Sequence, residues 1–256
     1  MRLRVIGCSG SFPSPSSPSS CYLVEAVDGE DRTWRILLDL GNGALGPLQN
    51  YVRPEQLDGV FLSHLHPDHC VDMCALYVAL NYNPAGAPEQ RLPVYGPANT
   101  FDRLEKAYGE HEHGSLAKSY EVHEYLPDEP IAFGPFTITP RQVLHPVEAY
   151  GLRVEADGAV LTYSGDTDAC PNLVEAARDA DLFLCEASFV EGRDAARGIH
   201  LTGRRAGQIA TEAGVAQLML THLPVWNDPD VVLAQARETF AGPITLAAPG
   251  LAHTLP

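Results

Sequence analysis

Short apolar runs recur along this chain, each closing on polar or glycine-rich residues. They predict strands over residues 3–8, 21–26, 34–40 and 60–63, the last overlapping an apolar stretch from Leu57 to Leu62. Further strands are predicted over 92–95, 136–143, 151–154, 160–163, 182–186 and 217–221. Helical spacing marks a short helix over 44–51, then 71–81, 100–108, 173–178, 202–213 and 230–240, with Thr202 an apt N-cap. Strands that alternate with helices and end on polar residues predict an α/β layered domain. Two stretches break the pattern. Residues 10–20 hold six serines and three prolines and cannot be regular structure, and residues 83–89 read as a surface loop. No internal repeat is visible, and the chain reads as one domain over residues 1–256.

The richest segment follows the 57–62 run: Ser63-His64-Leu65-His66-Pro67-Asp68-His69. Neutral imidazole and carboxylate are ligands that Zn²⁺ and similar ions accept. On extended backbone, residues two apart point the same way, so His64 and His66 can share one ion. Asp68 and His69, in the turn beyond, can face a second. Such groups at a strand end cost desolvation energy unless something binds them.

This motif resembles that of the metallo-β-lactamase fold hydrolases, and the chain supplies the family's other pieces in order. Asp39 in Leu38-Asp39-Leu40-Gly41 resembles the early strand-end D-x-G, and His145 in Leu144-His145-Pro146 the third histidine. Asp166 in Ser164-Gly165-Asp166-Thr167 resembles the bridging aspartate, and His222 in Thr221-His222-Leu223 the last histidine. The likeness runs from Met1 to about Gly242. It implies a four-layer αββα sandwich and two divalent ions, zinc first, with manganese or iron also suited to the ligand set. His64, His66 and His145 would hold one ion, and Asp68, His69 and His222 the other, with Asp166 between them. Two such ions make a shared water acidic and clamp a phosphoryl displacement, and Asp68 would also accept a hydrogen bond from the attacking water.

Two later motifs narrow the branch. Leu184-Cys185-Glu186 ends a predicted strand, and His200-Leu201-Thr202-Gly203 opens a predicted helix. Together they resemble the phosphodiesterase branch that includes ribonuclease Z. The resemblance gives His200 the scissile phosphate and the leaving oxygen, with Glu186 orienting it. Other histidines lack such support. Glu110-His111-Glu112-His113 and His123 read as solvated loop, and His253 as a residue that could fold back towards the site.

Charge and spacing bear on the substrate. The net charge is −16, with 17 basic residues against 33 acidic ones and no Lys/Arg run, which argues against a large polyanion. Ribonuclease Z carries a long tRNA-gripping arm between its third histidine and its bridging aspartate. Here His145 and Asp166 stand only 21 residues apart (166 − 145), room for two strands and a turn at Asp157-Gly158. The expected substrate is therefore a small phosphodiester, with nucleic acid disfavoured. The whole-chain pattern most resembles actinobacterial members linked to cyclic-nucleotide hydrolysis, which implies a substrate such as 3′,5′-cyclic AMP. A tRNA 3′-processing endonuclease is the alternative, followed by a thioesterase, a β-lactamase or an inactive metal-binding scaffold. No apolar stretch reaches membrane-spanning length, and the N-terminus has no signal-peptide layout. Together with six scattered cysteines, this predicts a cytoplasmic protein with reduced thiols. A homodimer is left open.

Overall fold

The computed structural model describes all residues except 85, 87 and 110–113. Its strands are β1 (Arg2–Gly7), β2 (Cys21–Val27), β3 (Thr33–Leu38), β4 (Gly59–Phe61), β5 (Leu92–Gly96), β6 (Tyr120–Glu124) and β7 (Ile131–Phe133). They continue with β8 (Phe136–Gln142), β9 (Tyr150–Ala156), β10 (Ala159–Tyr163), β11 (Leu182–Glu186), β12 (Leu218–Thr221), β13 (Ile244–Leu246) and β14 (Ala252–Thr254). The α-helices are α1 (Leu45–Leu48), α2 (Pro67–Cys70), α3 (Met73–Asn81), α4 (Thr100–Tyr108), α5 (Pro171–Ala177), α6 (Gly203–Ala213) and α7 (Pro229–Arg237).

The strands form two mixed sheets, ordered β14-β1-β2-β3-β4-β5-β6 and β13-β12-β11-β10-β9-β8-β7. Alternation along each central strand explains the layering. Ile36, Leu38 and Phe61 point between the sheets, where they meet Ile138, Leu152, Leu161 and Leu184. Leu37, Val60 and Leu62 point the other way, onto Leu48, Met73, Leu76 and Leu80 of α1 and α3. On the second sheet, Phe183 and Cys185 face outward onto Leu173, Ala206, Ile209 and Val232 of α5, α6 and α7. Strands buried on both faces read as unbroken apolar runs, which is what made them predictable. Each fully buried leucine contributes about 1.5–3 kcal/mol of transfer free energy. The architecture is the predicted αββα sandwich.

Four strands were not anticipated from the sequence: β6, β7, β13 and β14. They are the two outer strands of each sheet. Three of them have only three residues, and β6 carries Glu121, His123 and Glu124. Short or charged edge strands resist edge-to-edge association, and they take their conformation from a partner strand more than from their own pattern. His123 thus lies on a strand, not in a loop, stacked on Tyr95 with ring centroids 4.7 Å apart. His253 lies on β14 opposite Leu3 and belongs to the sheet. His111 and His113 lie outside the described residues. Between His145 and Asp166 stand only β9 and β10, joined by the tight Asp157-Gly158 turn. No helix among the described residues is long and apolar enough to cross a membrane. All six cysteines are free thiols.

Candidate metal centre

The chemistry-bearing residues all lie at or beyond the C-terminal ends of central strands. Asp39 follows β3 and His64 follows β4, while Asp166 follows β10, Glu186 ends β11 and His222 follows β12. Asp39 and His222 both adopt left-handed backbone, with φ of 60° and 57°. Non-glycine residues pay for that conformation, and they concentrate where a site dictates side-chain direction. Asp68 and His69 do not sit in a plain turn. They occupy the one-turn helix α2, opened by Pro67 and capped by an extended His66. Gly41 explains the D-x-G spacing: a Cβ there would collide with the Asp68 carbonyl, so only glycine lets the two segments touch.

Three groups of ligand-type atoms result: His64, His66, His145 and Asp166, then Asp68, His69, Asp166 and His222, and last Asp166 with Glu186 and His200. In the first, His64 Nε2 lies 3.0 Å and His145 Nε2 3.3 Å from His66 Nδ1. Donors on a tetrahedral ion with bonds near 2.0–2.1 Å stand about 3.3 Å apart, so the spacing suits one. The outer nitrogens fix the tautomers. His145 Nδ1 donates to the Ile199 carbonyl at 2.8 Å, leaving its Nε2 a bare lone pair. The Ser63 hydroxyl donates to Asp39 at 2.7 Å, so it accepts from His64 Nδ1 at 3.1 Å, and His64 Nε2 is likewise bare. In the second group, both ring nitrogens of His222 face carboxylates: Nδ1 contacts Asp166, and Nε2 lies 3.2 Å from Asp68.

His69 supplies the sharpest test of fit. Its Nδ1 donates to Asp39 at 2.7 Å. Its buried Nε2 makes no hydrogen bond, although Asp166 and Asp68 oxygens lie 3.3 and 3.5 Å away. A lone pair aimed at two carboxylates is repulsive unless a cation lies between them. Protonation answers the same demand. Burial opposes charge on His69, but Asp166 and Asp39 outweigh it and hold its imidazole well above the ordinary range. Elsewhere burial keeps His64, His66 and His145 below that range, and so neutral and able to ligate. Burial works against ionised Asp68 and Asp166. Neighbouring imidazoles prevail, His69 at the first and His222 with His69 at the second, so both stay anionic. The residues present therefore suit metal ions in donor type and charge, and His64 and His145 in tautomer as well, while His222 Nε2 accepts from the Ser11 amide at 2.9 Å, a bond that an ion there would displace.

Asp39 itself stands behind this shell, fully buried. It accepts from the Ser63 amide at 2.6 Å, the Ser63 hydroxyl, His69 Nδ1 and, across the sheet interface, the Tyr163 hydroxyl at 2.8 Å. Its position is that of a group that aims ligands.

Glu186 and His200 meet across the site. His200 Nδ1 bonds Glu186 at 2.8 Å and lies 3.9 Å from Asp166. Glu186 is fully buried and also accepts from the amides of Thr167, Ser188 and Leu201. Burial disfavours a charged His200, yet Glu186 prevails and raises its pKa to about 9. The ring lines an open pocket of about 310 Å³ shared with Ser11, His66, Asp68, His145 and Asp166. Sequence reasoning missed the clasp beneath it. Buried Asp168 accepts from Arg197 at 2.7 Å, Arg205 at 3.0 Å and the Gly198 amide at 2.8 Å, pinning the segment that carries His200. The available signal was a second aspartate in Asp166-Thr167-Asp168, with arginines on both sides of His200.

Residues 34–223 match the β-lactamase superfamily domain, and the chain belongs to that family. A Mycobacterium tuberculosis protein of uncharacterised function is 42% identical over 95% of this chain and 88% of its own length. The probable metallo-hydrolase YhfI of Bacillus subtilis is 34% identical over 98% of both chains. The crystal structure of YhfI, a metallo-β-lactamase fold protein, superimposes with a TM-score of 0.87 at 32% identity, covering 98% of each chain. Ribonuclease Z of Myxococcus xanthus is 28% identical over 100% of this chain and 98% of its own. That alignment runs over 312 positions against 256 residues here, so this relative carries segments without a counterpart. The protein is a metal-dependent hydrolase by family.

Proposed function

We propose that this member of the β-lactamase superfamily is a dinuclear phosphodiesterase for small substrates, most directly cyclic nucleotides such as 3′,5′-cyclic AMP. The observation that carries the reading is the Glu186–His200 pair, 2.8 Å across, whose His200 lines the same pocket as His66, Asp68, His145 and Asp166. His64, His66 and His145 would hold one ion and Asp68, His69 and His222 the other, with Asp166 serving both. Bound zinc, or manganese or iron, supplies charge compensation for the phosphate and an acidified water.

The remaining work falls to side chains. Asp68 accepts a hydrogen bond from the attacking water and orients it. With its Nδ1 committed to Glu186, protonated His200 offers its Nε2 proton to the leaving alkoxide, which would otherwise depart as a strong base. Glu186 sustains that protonation and fixes the ring. A cyclic diester makes particular use of such an acid, because its leaving oxygen is a ribose alkoxide. Six free thiols suit a reducing compartment, which supports a cytoplasmic setting.

Ribonuclease activity is the second reading, favoured by the name of the Myxococcus relative. The short β9–β10 hairpin between His145 and Asp166 and the −16 charge count against it. The deciding experiment offers bis-p-nitrophenyl phosphate, cyclic AMP, cyclic GMP, 2′,3′-cyclic nucleotides and a pre-tRNA to protein loaded with Zn²⁺ or Mn²⁺. Cyclic mononucleotides should be turned over in preference. Release of a tRNA 3′ trailer without cyclic-nucleotide hydrolysis would reverse the assignment.

A further inference from the structure

Beside the metal cluster, two loops put aromatic rings into solvent. The serine-rich 10–20 segment runs along the chain after β12: the Gly10 amide donates to Leu223 O at 3.2 Å, and the Ser11 amide to His222 Nε2 at 2.9 Å. Only glycine allows this approach, since a Cβ at position 10 would collide with the His222 carbonyl. Ser11 takes a φ of 64°, and the Phe12 amide closes a tight turn onto Gly10 O at 2.8 Å. Strain of this kind persists where surroundings over-determine it. Its result is to turn Phe12 onto Trp226, with ring centroids 5.2 Å apart and planes inclined by 45°. Both rings stay largely wet: Phe12 is 41% exposed, Trp226 59%, and the adjoining Val225 53%. Large apolar side chains clustered in solvent on two pinned loops call for an occupant.

The position limits that occupant. Ser11 lines the metal pocket, and Phe12 is its chain neighbour, about 3.8 Å away at Cα. The pocket, about 310 Å³, lies at the small end of ligand sites, so a group attached to a phosphate held there extends onto its rim. Ser11 and His222 touch at this edge of the site, and Phe12 and Trp226 follow them by one and four residues. We propose that Phe12 and Trp226 form a stacking subsite for the planar base of the phosphodiester. The proposal rests on the phosphodiesterase reading and names the residues that bind the base. A stacked base contributes about 1–3 kcal/mol and tolerates any base identity, because each presents a π face. The subsite thus favours nucleotides over baseless diesters without choosing among bases.

The test compares cyclic AMP with ribose 3′,5′-cyclic phosphate, the same diester ring without the base, on metal-loaded wild-type, Phe12→Ala, Trp226→Ala and Trp226→Phe protein. Trp226→Ala should raise KM for cyclic AMP roughly 5- to 100-fold, leave the baseless substrate within about twofold, and recover in Trp226→Phe. Phe12→Ala should act in the same direction. The chain has two tryptophans, so in a Trp34→Phe background the titration of AMP should quench Trp226 fluorescence. Equal KM changes on both substrates, or none, would overturn the subsite and leave the phosphodiesterase reading intact. Hydrolysis of bis-p-nitrophenyl phosphate but of neither cyclic phosphate would overturn the cyclic-nucleotide assignment together with the base subsite. A shift from dimer to monomer in Trp226→Ala, with KM for cyclic AMP unchanged, would make the pair a contact between copies and overturn the subsite.

Discussion

From β1 to β6 the chain lays down three antiparallel strands and then three parallel ones, and from β8 to β13 it repeats that plan. Matching strand ends therefore meet at one place. Asp39 after β3 corresponds to Asp166 after β10, and His64 after β4 corresponds to Glu186 at the end of β11. The halves use the plan differently. The N-terminal half crowds His64, His66, Asp68 and His69 into one peptide aimed by a hub, Asp39. The C-terminal half sets one group at each of three successive strand ends. Local backbone builds the first set, while sheet order assembles the second. Damage to the first should therefore show as weakened metal binding, whereas the second mixes candidate ligands, His145, Asp166 and His222, with the Glu186–His200 pair that handles the proton.

Asp166 joins the two halves most fully, and its loss should be the most severe. It appears in all three groups of ligand-type atoms. Asp166→Ala should lose bound metal and all measurable hydrolysis, and wild-type protein should carry up to two transition-metal ions per chain. Elemental analysis that found a fully active, metal-free protein would remove the whole mechanism.

His200 should separate chemistry from metal binding. His200→Ala should keep its ions but lose roughly 10²–10⁴-fold in rate on cyclic AMP, whose leaving alkoxide needs a proton. The loss should be much smaller on a p-nitrophenyl ester, because the phenolate departs unaided. Equal losses on both substrates would reduce His200 to a phosphate contact, and loss of metal would make it a ligand.

The legibility of the site follows the same division. The H-x-H-x-D-H peptide announced itself because its ligands share a few residues and one backbone conformation. Glu186, His145, Asp166 and His222 were placed only through family likeness, since nothing local links residues up to 77 positions apart (222 − 145). Asp168 escaped notice because its work is done for His200 through Arg197 and Arg205, a contact visible only after folding. The fold shows a parallel contrast. Central strands were predictable because burial on both faces writes a continuous apolar run, whereas β6, β7, β13 and β14 owe their extension to a neighbour.

Asp39 offers a milder way to sharpen the comparison. It touches no substrate pocket and binds His69 Nδ1, Ser63 and Tyr163. Asp39→Asn should weaken metal affinity roughly 10- to 100-fold, and excess metal should restore turnover. The leaving-group selectivity that marks His200→Ala should not appear. A metal-saturated Asp39→Asn protein with a selective defect on cyclic AMP would erase the division of labour between the halves.

The smallest expected effect is a titration. In metal-free protein, His200 should change protonation near pH 9, because Glu186 stabilises the imidazolium against the cost of burial. The sign is fixed by linkage. A folded value above the ordinary 6.5 means that the pair stabilises the fold fully below that pH, and that the contribution fades as pH rises through about 9. Glu186→Gln keeps a hydrogen-bonding partner but removes the negative charge, so the midpoint should fall towards or below 6.5. NMR of the His200 ring in both proteins measures it. With less of the imidazolium available, Glu186→Gln should also slow cyclic AMP hydrolysis more than p-nitrophenyl ester hydrolysis, in milder form than His200→Ala. An unchanged midpoint would mean that the carboxylate only holds the ring in place, and Glu186 would then be a positioning residue with no part in sustaining the proton.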